Sequence, residues 1–215
     1  VVCVILWYGT QNKPSYNRAP KKIWTYLQEQ NNGLVMPSKE EIMCITSWKK
    51  WNPEYEIVIL TKKTLKGYIT IPERIKNHPI FTDRFIDLVR LWALEEHGGV
   101  WLDPNVVVKA PLDKWMFPKY AEFSGFYKMS KYENKEIIST WFMAANKKCK
   151  MIKAWTTAFS KLADYPHLDY YLKSRSITHT RDPVQIAFQE VFYQFPRDTF
   201  ILKRAHEGII YPLSH

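Results

Sequence analysis

One stretch limits what this chain can become: Asp83 to Asn105, which contains FIDLVRLWALEEHGGVWLDPN. It reads as a helix, a tight turn, a short strand and a polar exit. Thr82 is placed to cap the helix, and Asp83 favours its first turn. Phe85, Val89, Trp92 and Glu96 recur at helical spacing, which gives three apolar side chains one face. Asp87 and Arg90, three apart, project from a second face. Gly98 suits the left-handed position that ends a helix, and Gly99 keeps the turn narrow. Val100, Trp101 and Leu102 form strand readily. Asp103-Pro104-Asn105 then sets two oxygen-bearing side chains just past the strand end.

In an α/β sheet, ligands sit outside the carboxyl ends of the strands. Two hard oxygen donors separated by one residue suit Mg²⁺ or Mn²⁺, and such an ion could hold a diphosphate. Each piece also has a plain structural reading: a glycine cap, a polar turn, and an exposed Asp87–Arg90 pair worth only about 0.3–0.5 kcal/mol. The full spacing D-x-x-R-x-x-x-L-x-x-x-G-G-x-W-x-D-x-N is far more specific than its parts.

At this spacing the sequence resembles the glycosyltransferases with a DXD sugar-binding region, which include capsular polysaccharide synthesis proteins and initiating mannosyltransferases. Their shared positions hold Asp87, Arg90, Leu94, Gly98, Gly99, Trp101, Asp103 and Asn105 here. Asn105 departs from the pattern, standing where Asp is usual; an amide oxygen still binds a cation but brings no charge. SWKKWNPEYEIVIL resembles the family's helix, Asn-Pro turn and strand, so the likeness runs over roughly Val1 to Lys147. The chain also resembles the N-terminal glycosyltransferase domains of chlorella virus enzymes that decorate capsid glycans.

The resemblance implies a GT-A fold: an α/β, Rossmann-like, mixed but mostly parallel sheet flanked by helices. It implies a UDP-sugar donor such as UDP-glucose or UDP-rhamnose, a glycan acceptor, and Mn²⁺ or Mg²⁺ as cofactor. Asp87 and Arg90 would grip the donor's sugar hydroxyls, and Asp103 would touch ribose and metal. Trp7, with Tyr8 beside it, takes the place where an aromatic ring stacks on uracil, and Trp141 lies in the segment that lines the sugar pocket. Thr61, just past a strand, sits where the nucleoside could lie. Asp103 and Asn105 would bind the metal, with His206 as a third ligand and Glu207 and His215 as alternatives. Asp182, Glu133 and Glu136 are candidates for an acceptor base.

Along the chain, Val1 to Tyr8 reads as a buried first strand and Lys22 to Gln30 as a short helix. Ser38 and Glu41 form a capping box for a helix that runs through Trp51 and breaks at Asn52-Pro53. Tyr55–Leu60 is a second strand and Ile71–His78 a short helix. Val106–Val108, Glu122–Tyr127 and Ile137–Ala145 read as strands, Pro111–Trp115 as a turn and Lys150–Leu162 as an amphipathic helix. Asp182-Pro183 is an N-cap and first-turn pair for a helix reaching about Phe192, and Thr199–Lys203 is a last strand. Helices alternating with strands, without repeats or low-complexity linkers, argue one α/β domain over residues 1–215.

Composition adds limits. The 215 residues are 46% hydrophobic, which excludes a disordered chain. Nine Trp and thirteen Tyr are either core or platforms for bases and sugar rings. Cys3, Cys44 and Cys149 give neither a disulfide framework nor zinc spacing, which suggests a reducing, cytoplasmic setting, that of a host cell if the chain is viral. The longest apolar run is too short to span a bilayer. A net charge of +10 suits an anionic partner such as a nucleotide sugar. The lysines are scattered and carry no nucleic-acid-binding signature, so no nucleic acid partner is expected. Two rival readings stand beside the enzyme: a nucleotide-sugar-binding module without turnover, and a basic nucleic-acid-binding domain.

Overall fold

A computed structural model describes residues 19–30, 34–115, 121–129, 136–177, 182–204 and 210–212. The expected strand at Val1–Tyr8 lies outside them.

The central element is β1 (Lys22–Tyr26), parallel to both β2 (Glu56–Leu60) and β3 (Gly99–Leu102). This corrects the helix expected over Lys22–Gln30. Ile23, Trp24 and Thr25 are fully buried, so both faces of the segment are covered. A strand flanked on each side and buried on both faces takes the β-branched and aromatic residues of KIWTY, and no helical stripe can show.

The sheet order is β2-β1-β3-β6-β5-β7, with β5 at Phe123–Met129, β6 at Glu136–Ala145 and β7 at Phe200–Arg204. β6 runs antiparallel to β3 and β5, and β7 is parallel to β5. The fold is therefore the expected α/β arrangement, a mixed, mostly parallel sheet flanked by helices. The carboxyl ends of β1, β2 and β3 meet on one edge. β4 (Val106–Val108) leaves the sheet and pairs with β8 (Ile210–Pro212), so the strand expected to be last is followed by another.

Two apolar layers cover the faces. On one, α3 (Phe85–His97), α5 (Lys150–Lys161) and α7 (Pro183–Phe192) pack over Trp24, Trp101 and Met143. On the other, α1 (Lys39–Trp51) buries Cys44 and Trp48 against Val100, Leu102 and Val106. Trp24, Trp48, Trp101 and Trp155 are fully buried, which makes these four core residues and not ring platforms. Cys44 and Cys149 are buried free thiols, and burial pushes each up to about 11, so neither is a ready nucleophile at neutral pH.

Local signals in the sequence hold at several helix ends. Glu41 N–H donates to Ser38 Oγ at 3.1 Å while Ser38 N–H donates to Glu41 Oε2 at 2.7 Å, closing the capping box of α1. Asp182 caps α7 through Val184 N–H, with Pro183 at the first turn. α3 differs: Thr82 and Asp83 fall in a 3-10 turn over Pro79–Arg84, and the helix starts at Phe85 with no side-chain cap. The short helix expected over Ile71–His78 contracts to α2 (Glu73–Lys76). Pro111–Trp115, expected as a turn, contains a one-turn helix, α4 (Leu112–Trp115), whose Leu112 N–H donates to Asn52 Oδ1 at 2.8 Å. α6 (Leu168–Ser174) had no signal strong enough to read. No helix among the described residues is long and apolar enough to cross a membrane.

The α3–β3 turn leaves no room for side chains. Gly98 has φ +68° and ψ −162°, a conformation nearly confined to glycine, and Gly99 has φ +99°. A Cβ on Gly98 would sit 2.6 Å from Lys147 N, and one on Gly99 2.6 Å from Lys22 O. Gly99→Ala should therefore destabilise the fold by more than the roughly 1–3 kcal/mol of backbone strain alone. Urea denaturation measures this, and a cost below about 0.5 kcal/mol would contradict the packing described for the turn.

Candidate active site

α3 is buried nearly all round, from Asp87 through Leu94. The face that carries Asp87 and Arg90 is consequently covered, not solvated. Asp87 is 8% exposed and Arg90 4%. This corrects the picture of an exposed pair.

Arg90 spans two carboxylates. Its Nη1 donates to Asp87 Oδ1 one turn back on the helix, and its Nη2 donates to Asp103 Oδ1 at 2.8 Å across the Gly98–Gly99 turn. Arg90 Nε, also buried, has no hydrogen-bond partner among the described residues. Burial works against the guanidinium charge, but Asp103 and Asp87 outweigh it and hold Arg90 above its ordinary value. Burial pushes the Asp87 carboxyl up, with the Arg90 charge pulling the other way. Arg90 is charged, because each of its terminal nitrogens faces a carboxylate oxygen.

Asp103 is fixed from several directions. Its backbone N–H donates to Trp141 O at 2.9 Å, and its carbonyl accepts from Val106 N–H at 3.1 Å. Trp101, two residues back on the same face of β3, donates Nε1–H to Asp103 Oδ1 at 2.6 Å. The Trp101 ring also lies 5.2 Å from the Arg90 guanidinium carbon. Oδ2 takes part in none of these bonds, and the Asp103 side chain is 26% exposed. Asn105 is half-buried on the turn that follows.

These donors fit a hard divalent cation at a partly open site. Asp103 Oδ2 and the Asn105 side chain are the oxygen donors that would hold it, and two carboxylates against one guanidinium leave surplus negative charge. Among the described residues no group of three or more His, Cys, Asp or Glu side chains could hold a metal by itself. An ion here would complete its shell with phosphate oxygens and water, as Mg²⁺ commonly does.

A groove runs up to this cluster. A cavity of about 700 Å³ is lined by Tyr26, Lys62, Leu65, Lys66, Phe81 and Phe85, among others. A smaller one of about 220 Å³ shares Tyr26, Thr82 and Phe85 with it and reaches Asp87. Tyr26 ends β1 and meets Phe85 edge-on, with ring centroids 5.9 Å apart. Sequence reasoning missed Tyr26, Gln28 and Phe85 as groove residues. The signal was KIWTY: read as a strand, its carboxyl end falls on the edge where ligands bind.

The other expected site residues are placed unevenly. Thr61 is 7% exposed and closes a turn with Thr64: Thr61 N–H donates to Thr64 Oγ1 at 3.0 Å, and Thr64 N–H to Thr61 Oγ1 at 3.2 Å. That turn presents Lys62 to the groove. Trp141 reaches Asp103 through its backbone, while its ring stacks on Phe126 at 4.8 Å in the α1-side layer. Asp182 is the α7 cap and lies 3.8 Å from Arg84. Glu136 accepts from Tyr193 OH at 2.9 Å. Trp7, Tyr8, His206, Glu133, Glu207 and His215 lie outside the described residues.

Comparison with known proteins shows what the chain is similar to. An O-glycosyltransferase, PaGT of Phomopsis amygdali, is 31% identical over 115 residues, which are 51% of this chain and 28% of that protein. The chain thus spans well under half of that relative. The catalytic domain of alpha-toxin from Clostridium novyi superposes with a TM-score of 0.52 at 9% identity, over 84% of this chain and 65% of that one, and so shares the fold. A glycosyltransferase involved in glycosylating the major capsid of PBCV-1 matches at a TM-score of 0.43 and 12% identity, over 86% of this chain and 82% of that one. The model of the capsular polysaccharide synthesis protein family matches residues 11–206, and the chain belongs to that family.

Proposed function

We propose that the chain transfers a hexose or deoxyhexose from a UDP-sugar to a glycan hydroxyl, with Mn²⁺ or Mg²⁺ held by Asp103 and Asn105. The observation that carries this reading is the fixed Asp103 carboxylate, tied through Arg90 to Asp87, which lines the end of a groove that carries aromatic and cationic side chains. The sequence resemblance to capsid-glycan enzymes supports a viral glycan as the acceptor.

The chain's own residues divide the work. Tyr26 and Phe85 offer ring surfaces to a nucleoside, and Lys62 and Lys66 bring positive charge to its phosphates. His206, outside the described residues, is kept as a third metal ligand, and Trp7 and Tyr8 as further contacts to the base. Asp87, at the inner end of the groove, faces the sugar, with Arg90 buried behind it. A carboxylate accepts from sugar hydroxyls, so Asp87 is suited to orient them. Arg90 has both terminal nitrogens committed to carboxylates and acts by holding Asp87 and Asp103 at fixed separation. Such preorganisation costs nothing further as charge develops on the leaving diphosphate. A bound divalent ion would supply Lewis-acid stabilisation of that charge.

Turnover of UDP-, GDP- and CMP-sugars, followed by nucleotide release in Mn²⁺, tests the proposal. Release of UDP alone is expected. UDP binding without turnover of any sugar would instead favour the binding module, and a steeply salt-dependent affinity for DNA or RNA the basic domain.

Asp103→Asn is the informative change, because alanine would strand the Arg90 and Trp101 donors. The amide keeps an acceptor for both and removes the charge beside the metal. Turnover of the folded variant should fall by at least about 100-fold, equivalent to roughly 2.7 kcal/mol, and the thermal midpoint should fall as well, because buried Arg90 loses one of its two counter-charges. Retained turnover would make the turn purely structural.

Arg90→Met tests the buried pair itself. It leaves Asp87 without its counter-charge and should cost about 3–5 kcal/mol in urea denaturation. A loss below about 1 kcal/mol is what an exposed pair would give, and it would contradict the buried bridge.

A further inference from the structure

The fully buried tryptophans differ in what their indole N–H groups hold. Trp24 donates to Gly98 O at 2.8 Å, Trp48 to Val106 O at 2.6 Å and Trp155 to Val184 O at 3.0 Å. Those three satisfy backbone carbonyls, as core tryptophans usually must. Trp101 is equally buried but donates to a side-chain carboxylate, that of Asp103, at 2.6 Å. A buried indole cannot touch substrate, and it is a donor only.

We infer that Trp101 is a positioning residue: its N–H, together with Arg90, ties down Asp103 Oδ1 so that Oδ2 is the oxygen offered to a divalent cation. The inference rests on the donor-site reading above. Two donors on one oxygen break the symmetry of the carboxylate and oppose its rotation. Trp101 also lies against Arg90, with the guanidinium carbon 5.2 Å from the ring centroid, so it restrains the second donor as well as supplying the first. Strand alternation makes this geometry: residues 101 and 103 share the α3 side of the sheet, while Val100 and Leu102 pack on the α1 side. A core residue alone would need apolar bulk here and no N–H.

The test is Mn²⁺ affinity in the presence of UDP, read as free Mn²⁺ by electron paramagnetic resonance, beside the thermal midpoint. Trp101→Phe keeps a ring against Arg90 and removes the N–H. Residues that orient a metal ligand typically contribute 10–100-fold in metal affinity, and a loss of at least about tenfold is expected. UDP affinity in chelator should not change. Val100→Ala, on the other face of the same strand, should lower the thermal midpoint and leave Mn²⁺ affinity intact. If Trp101→Phe does not fold, 3-benzothienylalanine at position 101 keeps the shape and deletes only the donor; the same loss is expected. Unchanged Mn²⁺ affinity in the folded variant, or an equal loss in Val100→Ala, would overturn the inference while leaving the donor site standing. Absence of Mn²⁺ and UDP binding in the unaltered protein would refute the donor site and this inference with it.

Discussion

The site depends on a guanidinium buried between two carboxylates. Placing Arg90 in the protein interior is unfavourable unless its charge is matched and its N–H groups are used. Asp87 provides one match from within α3, and Asp103 provides the other from the far side of a turn. The charge requirement thus fastens the end of β3 to the middle of α3. It also sets the position of Asp103, which follows from the need to neutralise Arg90.

The turn geometry makes that bridge reachable. β3 must begin beside Lys22 of β1 and below Lys147, at contacts too close for a side chain on Gly98 or Gly99. From there β3 is only four residues long before Asp103, so the carboxylate returns alongside the same helix that carries Arg90. The Trp24 N–H fixes the Gly98 carbonyl on this turn. Core packing, a strained turn and the electrostatics of the site are therefore one structure. A groove wide enough for a nucleotide opens at the same edge because β1, β2 and β3 all end there.

Much of this was legible in the sequence where the cause is local. The Ser38–Glu41 box, the Asp182-Pro183 start and the Gly-Gly turn depend on neighbours a few residues away. β1 was not legible, since KIWTY has polar flanks and becomes a strand only because β2 and β3 receive it. Missing β1 hid Tyr26, and with it the groove. The burial of Asp87 and Arg90 was hidden for a related reason. Helical periodicity placed them on a face apart from the apolar stripe, and Trp101 and Asp103, at the end of β3, lie against Arg90 on that face. The pairing of Asp87 with Arg90 was readable from their spacing; the reach of Arg90 to Asp103 was not, because it crosses the turn.

The central claim is that Asp103 joins nucleotide to protein through a cation. Calorimetry of UDP binding, in Mn²⁺ and in chelator, tests it most directly. Binding of ligand and ion must be reciprocal, so UDP should bind at least about tenfold more tightly with Mn²⁺ present, a coupling of roughly 1.4 kcal/mol. Equal UDP affinity in chelator and in Mn²⁺ would contradict the account.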